Sequence, residues 1–212
     1  MKEIELIVIT GPSGTGKTTL EVAMEKKFPN SFKRVISHTT RELRENDGEV
    51  DGVNYHFVDQ EEFDKLDLIE SVVFLGNSYG ISKSALPKNH TALVVVEVDG
   101  AVQIMKNVDR EKVLFIYLDL SDKVRKDRMS KRGDSEDYVK NRLLNDTIRS
   151  DFRKSDIVAD VRITEEVALS DLCNLLMARV LIANEVRFKD LQVKKFIESQ
   201  NEKFNKGKGK VC

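Results

Sequence analysis

The 212 residues include only two cysteines, Cys173 inside an expected helix and Cys212 at the last position. Two thiols so far apart make neither a disulfide framework nor a zinc-ligand pair, so a reduced, cytoplasmic setting is expected. Charge of one sign is missing as well: 35 Lys and Arg face 36 Asp and Glu, a formal net charge of −1. That balance argues against a nucleic-acid binder or a membrane-surface binder, and any phosphate-binding surface has to be local. Long apolar runs are absent too; Ala92–Val96 is far too short to span a bilayer. The chain opens Met-Lys-Glu-Ile-Glu and passes straight into an expected strand, so no signal peptide is expected. The histidines, His38, His56 and His90, have no carboxylate or cysteine at metal-ligand spacing and are read as surface or structural residues. No internal repeat is visible.

The remainder is ordinary globular sequence, 40% hydrophobic and 33% charged, long enough to bury a core without a disulfide or structural metal. Apolar runs at Ile4–Ile9, Ala92–Val98 and Val113–Leu118, with a shorter one at Ile157–Val161, predict buried strands. Helical periodicity over Lys17–Phe28, Ala101–Asn107, Asp122–Lys131 and Glu136–Phe152 fills the intervals. Strand alternating with helix predicts an α/β fold, a parallel sheet with helices on both faces. The polar, turn-rich and aromatic stretch 37–84 is too long for a connection and is expected to be an inserted subdomain. After Thr164 one long helix is expected, with Val167, Leu172, Leu175, Leu176 and Leu181 as its apolar stripe. The stripe continues through Val186, Phe188, Leu191 and Phe196, which admits a monomer or a homodimer. The lysine- and glycine-rich residues 201–212 are expected to be disordered.

Between the first strand and first helix stands Gly11-Pro12-Ser13-Gly14-Thr15-Gly16-Lys17-Thr18, followed by Thr19. It matches the pattern G-x-x-x-x-G-K-[ST] in the strand–turn–helix setting that gives the pattern its meaning. The glycines let the backbone curl so that N–H groups point at an anion, and the helix adds its positive end. In such a P-loop Lys17 reaches the β- and γ-phosphates of ATP and the Thr18 hydroxyl holds Mg²⁺. A nucleotide site alone does not specify a reaction. The guanine-recognition element of a G protein, Asn-Lys-x-Asp, is missing from the chain.

A second phosphate site is suggested by Ser37-His-Thr-Thr-Arg41-Glu-Leu-Arg44, followed by Gly48-Glu49-Val-Asp51-Gly52-Val-Asn-Tyr55-His-Phe57. Arginine forks make bidentate, charge-assisted bonds to an anion that a lone lysine cannot make. Taken alone, an Arg-x-x-Arg pair is more often a solvated face. Here it is followed by Glu70, by Gly76-Asn77-Ser78-Tyr79-Gly80, by Glu97-Val-Asp99 and by Arg128-Met-Ser-Lys-Arg132-Gly133. In this order, from residue 4 to about 161, the motifs resemble those of the guanylate kinase family.

That resemblance implies a three-layer P-loop kinase core within residues 1–183, built from 1–36 and 85–163. It also implies an acceptor-binding insert at 37–84 and a short lid at about 121–153, with helix 164–200 following. It implies transfer of the ATP γ-phosphoryl group to GMP or dGMP with Mg²⁺, and neither nucleic acid nor membrane as partner. Arg41, Arg44, Tyr55 and Tyr79 would hold the acceptor phosphate. Ser37 and Glu70 would read guanine, Glu70 accepting from N1–H and the 2-amino group; a carboxylate repels the bare N1 acceptor of adenine. Glu97 and Asp99 would sit near the metal waters or the acceptor. Arg128, Arg132 and Arg142 would be lid arginines that neutralise the transferring group. Ile81 stands where the family places Ser or Thr, and the Asn-Asp pair usual after the last strand is not evident near Asp160. An inactive interaction module of the same family, and a kinase of altered base choice, are the alternative readings.

Overall fold

The structure, a computed structural model, describes residues 4–44, 48–74, 76–149 and 158–185. Its centre is β1 (Leu6–Thr10), whose five residues are all buried. A strand covered on both faces reads as an unbroken apolar run and not as an alternation, which is why Leu-Ile-Val-Ile is legible as strand. The chain then turns through the glycine-rich loop into α1 (Lys17–Lys27) and continues to the edge strand β2 (Phe32–Arg34). After the insert come β7 (Thr91–Val95), α3 (Val98–Asn107), β8 (Val113–Leu118), α4 (Asp122–Lys131), α5 (Glu136–Arg149) and β9 (Val161–Ile163). A last helix, α6, is described over 169–185.

The five strands form one sheet in the order β2-β7-β1-β8-β9, every pair parallel. Its two faces carry different partners. Ile7, Ile9, Leu93 and Ile116 pack with Leu20 and Met24 of α1 and with Leu172, Cys173, Leu176 and Val180 of α6. On the opposite face Leu6, Val8, Val94 and Phe115 pack with Ala101 and Ile104 of α3 and with Ile69 and Ile81 of the insert.

The insert is a second, smaller sheet. It comprises β3 (His38–Thr39), β4 (His56–Phe57), β5 (Leu68–Phe74) and β6 (Asn77–Ser82), in the order β4-β3-β6-β5, with α2 (Gln60–Asp64) between β4 and β5. The β5–β6 pairing is antiparallel and irregular between Leu68 and Glu70, so that Ile69 and Glu70 both turn inward and are buried.

Four sequence expectations are corrected. The strand read as Ala92–Val98 ends at Val95, and Glu97 is the N-cap position of α3, because the chain must leave the sheet there to start that helix. The strand expected at Ile157–Val161 is Val161–Ile163, paired with β8 through Ile116↔Val161; residue 157 lies outside the described residues. The last helix begins at residue 169 and not directly after Thr164. Its buried face is Leu172, Cys173, Leu176 and Val180, whereas Val167, Leu175 and Leu181 of the expected stripe are exposed. Spacings of one, four and eight residues share a helix face, and that face lies on the sheet. Residues 201–212, expected to be disordered, and the apolar continuation past residue 185 lie outside the described residues.

Candidate active site

Parallel strands of one sheet direct their carboxyl ends to one edge, and the loops there build the site. Gly11 leaves β1 with φ 149°, and a Cβ at that position would stand 2.3 Å from the Leu118 carbonyl oxygen at the end of β8. Only glycine passes so close. Gly16 enters α1 in the left-handed region, φ 93°, and no side chain among the described residues caps the helix. The α1 amides are therefore available to an anion, and the helix dipole favours one. The Lys17 ammonium folds back onto the carbonyl oxygens of Gly11 at 2.5 Å and Pro12 at 3.3 Å. Burial lowers its pKa below the ordinary lysine value; Glu97 and Asp146 oppose that shift, and Arg142 and Arg125 reinforce it. Thr15 closes the loop by donating to the Pro12 carbonyl at 2.8 Å. Thr18 and Thr19 are exposed in the first turn of α1.

Arg41, Tyr55 and Tyr79, read separately along the sequence, are brought together. The Arg41 guanidinium lies 5.6 Å from the Tyr55 ring centroid and 5.5 Å from that of Phe57, and Tyr79 is close enough to help raise its pKa. The Tyr55 and Tyr79 rings meet edge to face at 5.8 Å. Both arms of the guanidinium are engaged by Glu49, at 2.9 and 2.6 Å, and the Arg44 backbone N–H donates to the same carboxylate at 2.9 Å. The hydrogen bond from Arg41 is the largest of the effects that hold the Glu49 carboxyl below its usual range. A planar oxyanion thus already occupies the fork, in the geometry a phosphate oxygen pair would take.

Glu70 is 6% exposed and its carboxyl is pushed up to about 7 by burial, opposed by a hydrogen bond from the Ile81 backbone. It lies under α3, where a Cβ added to Gly100 would stand 2.7 Å from Glu70 Oε2. Ile81, paired with Glu70 across β5–β6, is 1% exposed and belongs to the core with Val94 and Val96. Ser82, on the following position, has its hydroxyl 3.0 Å from that of Ser84 and accepts from the Ala85 N–H at 3.3 Å. Ser37 is half-buried, and its carbonyl accepts from the His56 N–H at 2.8 Å. His38 and His56 stack at 4.9 Å on adjoining strands. Glu97 and Asp99 are exposed at the start of α3, with Glu97 close enough to act on Lys17.

The arginines expected in the lid do not converge. Arg128 donates to the Thr15 carbonyl at 3.0 Å and pairs with Glu166. Arg132, one residue past the end of α4, pairs with Asp134. Arg142 lies over Tyr138 at 5.4 Å, and its charge lowers the pKa of Lys17. Two buried residues at the loop are new to the site: Arg125 on α4 and Asp146 on α5, which contact Ser13 and each other. Both stand in polar helices where a charge reads as solvated, so no local signal marks them.

This cradle, on this sheet and beside an arginine fork, defines a P-loop kinase. A family model described as guanylate kinase matches residues 3–177. A guanylate kinase of Pseudomonas fluorescens is 38% identical over 147 residues, 65% of this chain and 69% of that protein. One of Chlamydia trachomatis is 33% identical over 148 residues, 66% of this chain and 70% of that one. Among solved structures, the fold is similar to that of guanylate kinase from Anaplasma phagocytophilum, with a TM-score of 0.58 at 21% identity, covering 87% of this chain and 88% of that one. The chain belongs to the guanylate kinase family.

Proposed function

We propose that the chain transfers the γ-phosphoryl group of ATP to GMP, giving ADP and GDP. The oxyanion seated in the Arg41 fork carries this reading. Glu49 engages a guanidinium flanked by Tyr55 and Tyr79, with Arg44 beside it, and an acceptor phosphate would take over these bonds. Family membership and the buried Glu70 carboxyl support guanine as the base.

ATP would place its phosphates in the curl of Gly11–Thr18. Lys17 would exchange the carbonyls of Gly11 and Pro12 for the β- and γ-oxygens. An oxygen of the acceptor phosphate attacks the γ-phosphorus while the bond to the β-bridging oxygen breaks, so no protein nucleophile is needed. The protein's part is to hold both anions in line and to spread their charge over Lys17, Arg41, Arg44 and Arg142. The donor set suits Mg²⁺: among the described residues no three carboxylate, His or Cys side chains form a protein cage, and Thr18 offers one hard oxygen beside Lys17. Thr18 would help to hold the ion together with the phosphates of ATP, and the ion would supply neutralisation of their charge.

The test is a coupled assay with ATP and a panel of ribo- and deoxynucleoside monophosphates, on the wild type and on Arg41→Lys. GMP is the expected preferred ribonucleotide. Arg41→Lys keeps the charge but loses the fork, so the KM for GMP rises several-fold while that for ATP changes little. A preference for AMP, or equal rises in both constants, overturns the assignment.

A further inference from the structure

We propose that the buried Arg125–Asp146 ion pair is a clamp that joins the arginine-bearing helices to the phosphate cradle and sets its affinity for ATP. The proposal rests on the reading of Gly11–Thr18 as an ATP site. Arg125 on α4 is 4% exposed and Asp146 on α5 is 9% exposed. Between them they hold one residue of the loop by both of its backbone groups. The Ser13 N–H donates to Asp146 Oδ2 at 2.9 Å, and the Ser13 carbonyl accepts from Arg125 Nε at 2.8 Å. The Ser13 hydroxyl adds a bond to Asp146 Oδ1 at 3.3 Å, and Arg125 donates to Asp122 Oδ1 at 2.7 Å.

Ser13 lies inside a loop whose glycines make it permissive, so its shape has to be imposed from outside. The backbone of α4 is close against it: a Cβ at Gly14 would stand 3.0 Å from the Arg125 carbonyl oxygen. Arg128, three residues further along the same helix, takes the Thr15 carbonyl at 3.0 Å. The α4 helix thus grips the cradle at two carbonyls, and α5 grips it at an amide. A buried ion pair is an expensive way to fill a core, and well-packed apolar residues of similar volume serve stability as well or better. Apolar side chains cannot, however, hold an N–H and a carbonyl of the same residue. Arg125 is needed for a second reason: an uncompensated Asp146 carboxylate beside the cradle would repel the phosphates. At Lys17 the two charges act with opposite signs. Arg125 and Asp146 are positioning residues; their effect reaches ATP through Ser13.

The test uses the full chain in two forms, Arg125→Met/Asp146→Leu and Arg125→Lys. The first replaces the pair by apolar residues of similar size; the second keeps the charge but loses the fork that bonds Ser13 through Nε and Asp146 through a second nitrogen. Affinities for Mg·ATP and for GMP are measured separately by calorimetry, with thermal unfolding recorded for each form. The double variant unfolds cooperatively near the wild-type midpoint and binds ATP roughly tenfold more weakly, with GMP affinity within about twofold of wild type. Arg125→Lys weakens ATP in the same selective way. A folded double variant, or a folded Arg125→Lys, that binds ATP like the wild type makes the pair a core ion pair only and overturns the clamp. Equal losses for ATP and GMP, the signature of general loosening, overturn it too. Should the double variant fail to fold, Arg125→Lys decides alone. A wild type that binds ATP but does not phosphorylate GMP sinks the proposed reaction and leaves this test intact.

Discussion

A carboxyl group taken out of water resists ionisation, and Glu70 is such a group: burial raises its pKa from 4.5 to about 7. To accept from the N1–H and 2-amino group of guanine it must nevertheless be ionised. The KM for GMP is therefore expected to rise as the pH falls below about 7, with the KM for ATP not following. The phosphate of GMP also titrates, near 6. Glu70→Gln retains that titration and loses the other, so subtracting its profile isolates the carboxyl. Stability has the opposite sign. A carboxyl whose folded pKa is raised favours folding fully below about 4.5 and loses that contribution as the pH rises through about 7. Glu70→Gln, always neutral, is expected to match the wild-type melting temperature near pH 4.5 and exceed it at pH 8. Glu21, buried against Arg34 and also raised to about 7, is common to both proteins and cancels. A GMP profile that Glu70→Gln leaves unchanged would remove Glu70 from the base site.

The contact between α3 and the β5 strand of the insert sets that carboxyl in place. Gly100 is buried in the first half of α3, and its lack of a side chain is what admits Glu70. In a solvated helix, replacing Gly by Ala stabilises by about 1 kcal/mol. Here the new methyl meets Glu70 Oε2 at 2.7 Å and Val96 Cβ at 3.2 Å, so the insert must shift or the carboxylate must turn away. Gly100→Ala is expected to raise the KM for GMP roughly tenfold, the scale of one displaced charge-assisted hydrogen bond. It should leave the KM for ATP unchanged and the melting temperature no higher. Steady-state kinetics with each substrate varied in turn checks this, and an unaltered GMP constant refutes it.

Across the whole molecule, the sheet needs α6 to close one face. Leu172, Cys173, Leu176 and Val180 lie on β-strand and α1 residues of the core, the Asn184 side chain accepts from the Ile4 N–H at 2.9 Å, and Lys27 donates to Ser170. Leu176→Ala is expected to cost about 2–5 kcal/mol in urea unfolding, because it opens a cavity in a packed core. Leu175→Ala, one residue earlier on the exposed side, is expected to stay within about 0.5 kcal/mol of wild type. Equal losses at the two positions would mean that the helix faces the sheet differently. Ending the chain at residue 168 leaves α1 as the one described helix on this face and uncovers the rest of it, and cooperative unfolding is then expected to vanish.

What the sequence by itself determined is local or strongly periodic. The buried strands of the central sheet show as apolar runs, the cradle as glycines ahead of a lysine in strand–turn–helix order, and the acceptor motifs through their order along the chain. Ionic partners and helix facing were decided by tertiary structure. Arg41 reads as a free phosphate-binding fork until folding seats Glu49 in it. Arg128 and Arg132 read as one basic face until Thr15, Glu166 and Asp134 divide them. Leu175 and Leu176 are equivalent as letters until the sheet selects one side of α6. Arg125 and Asp146 are 21 residues apart on two polar helices, and nothing in either helix distinguishes a buried charge from a solvated one. The physical reason is common to all four cases. A backbone conformation is largely set by neighbours within a few residues. By contrast, the worth of a charge or an apolar side chain depends on which distant surface removes it from water, and that surface exists only once the chain has folded.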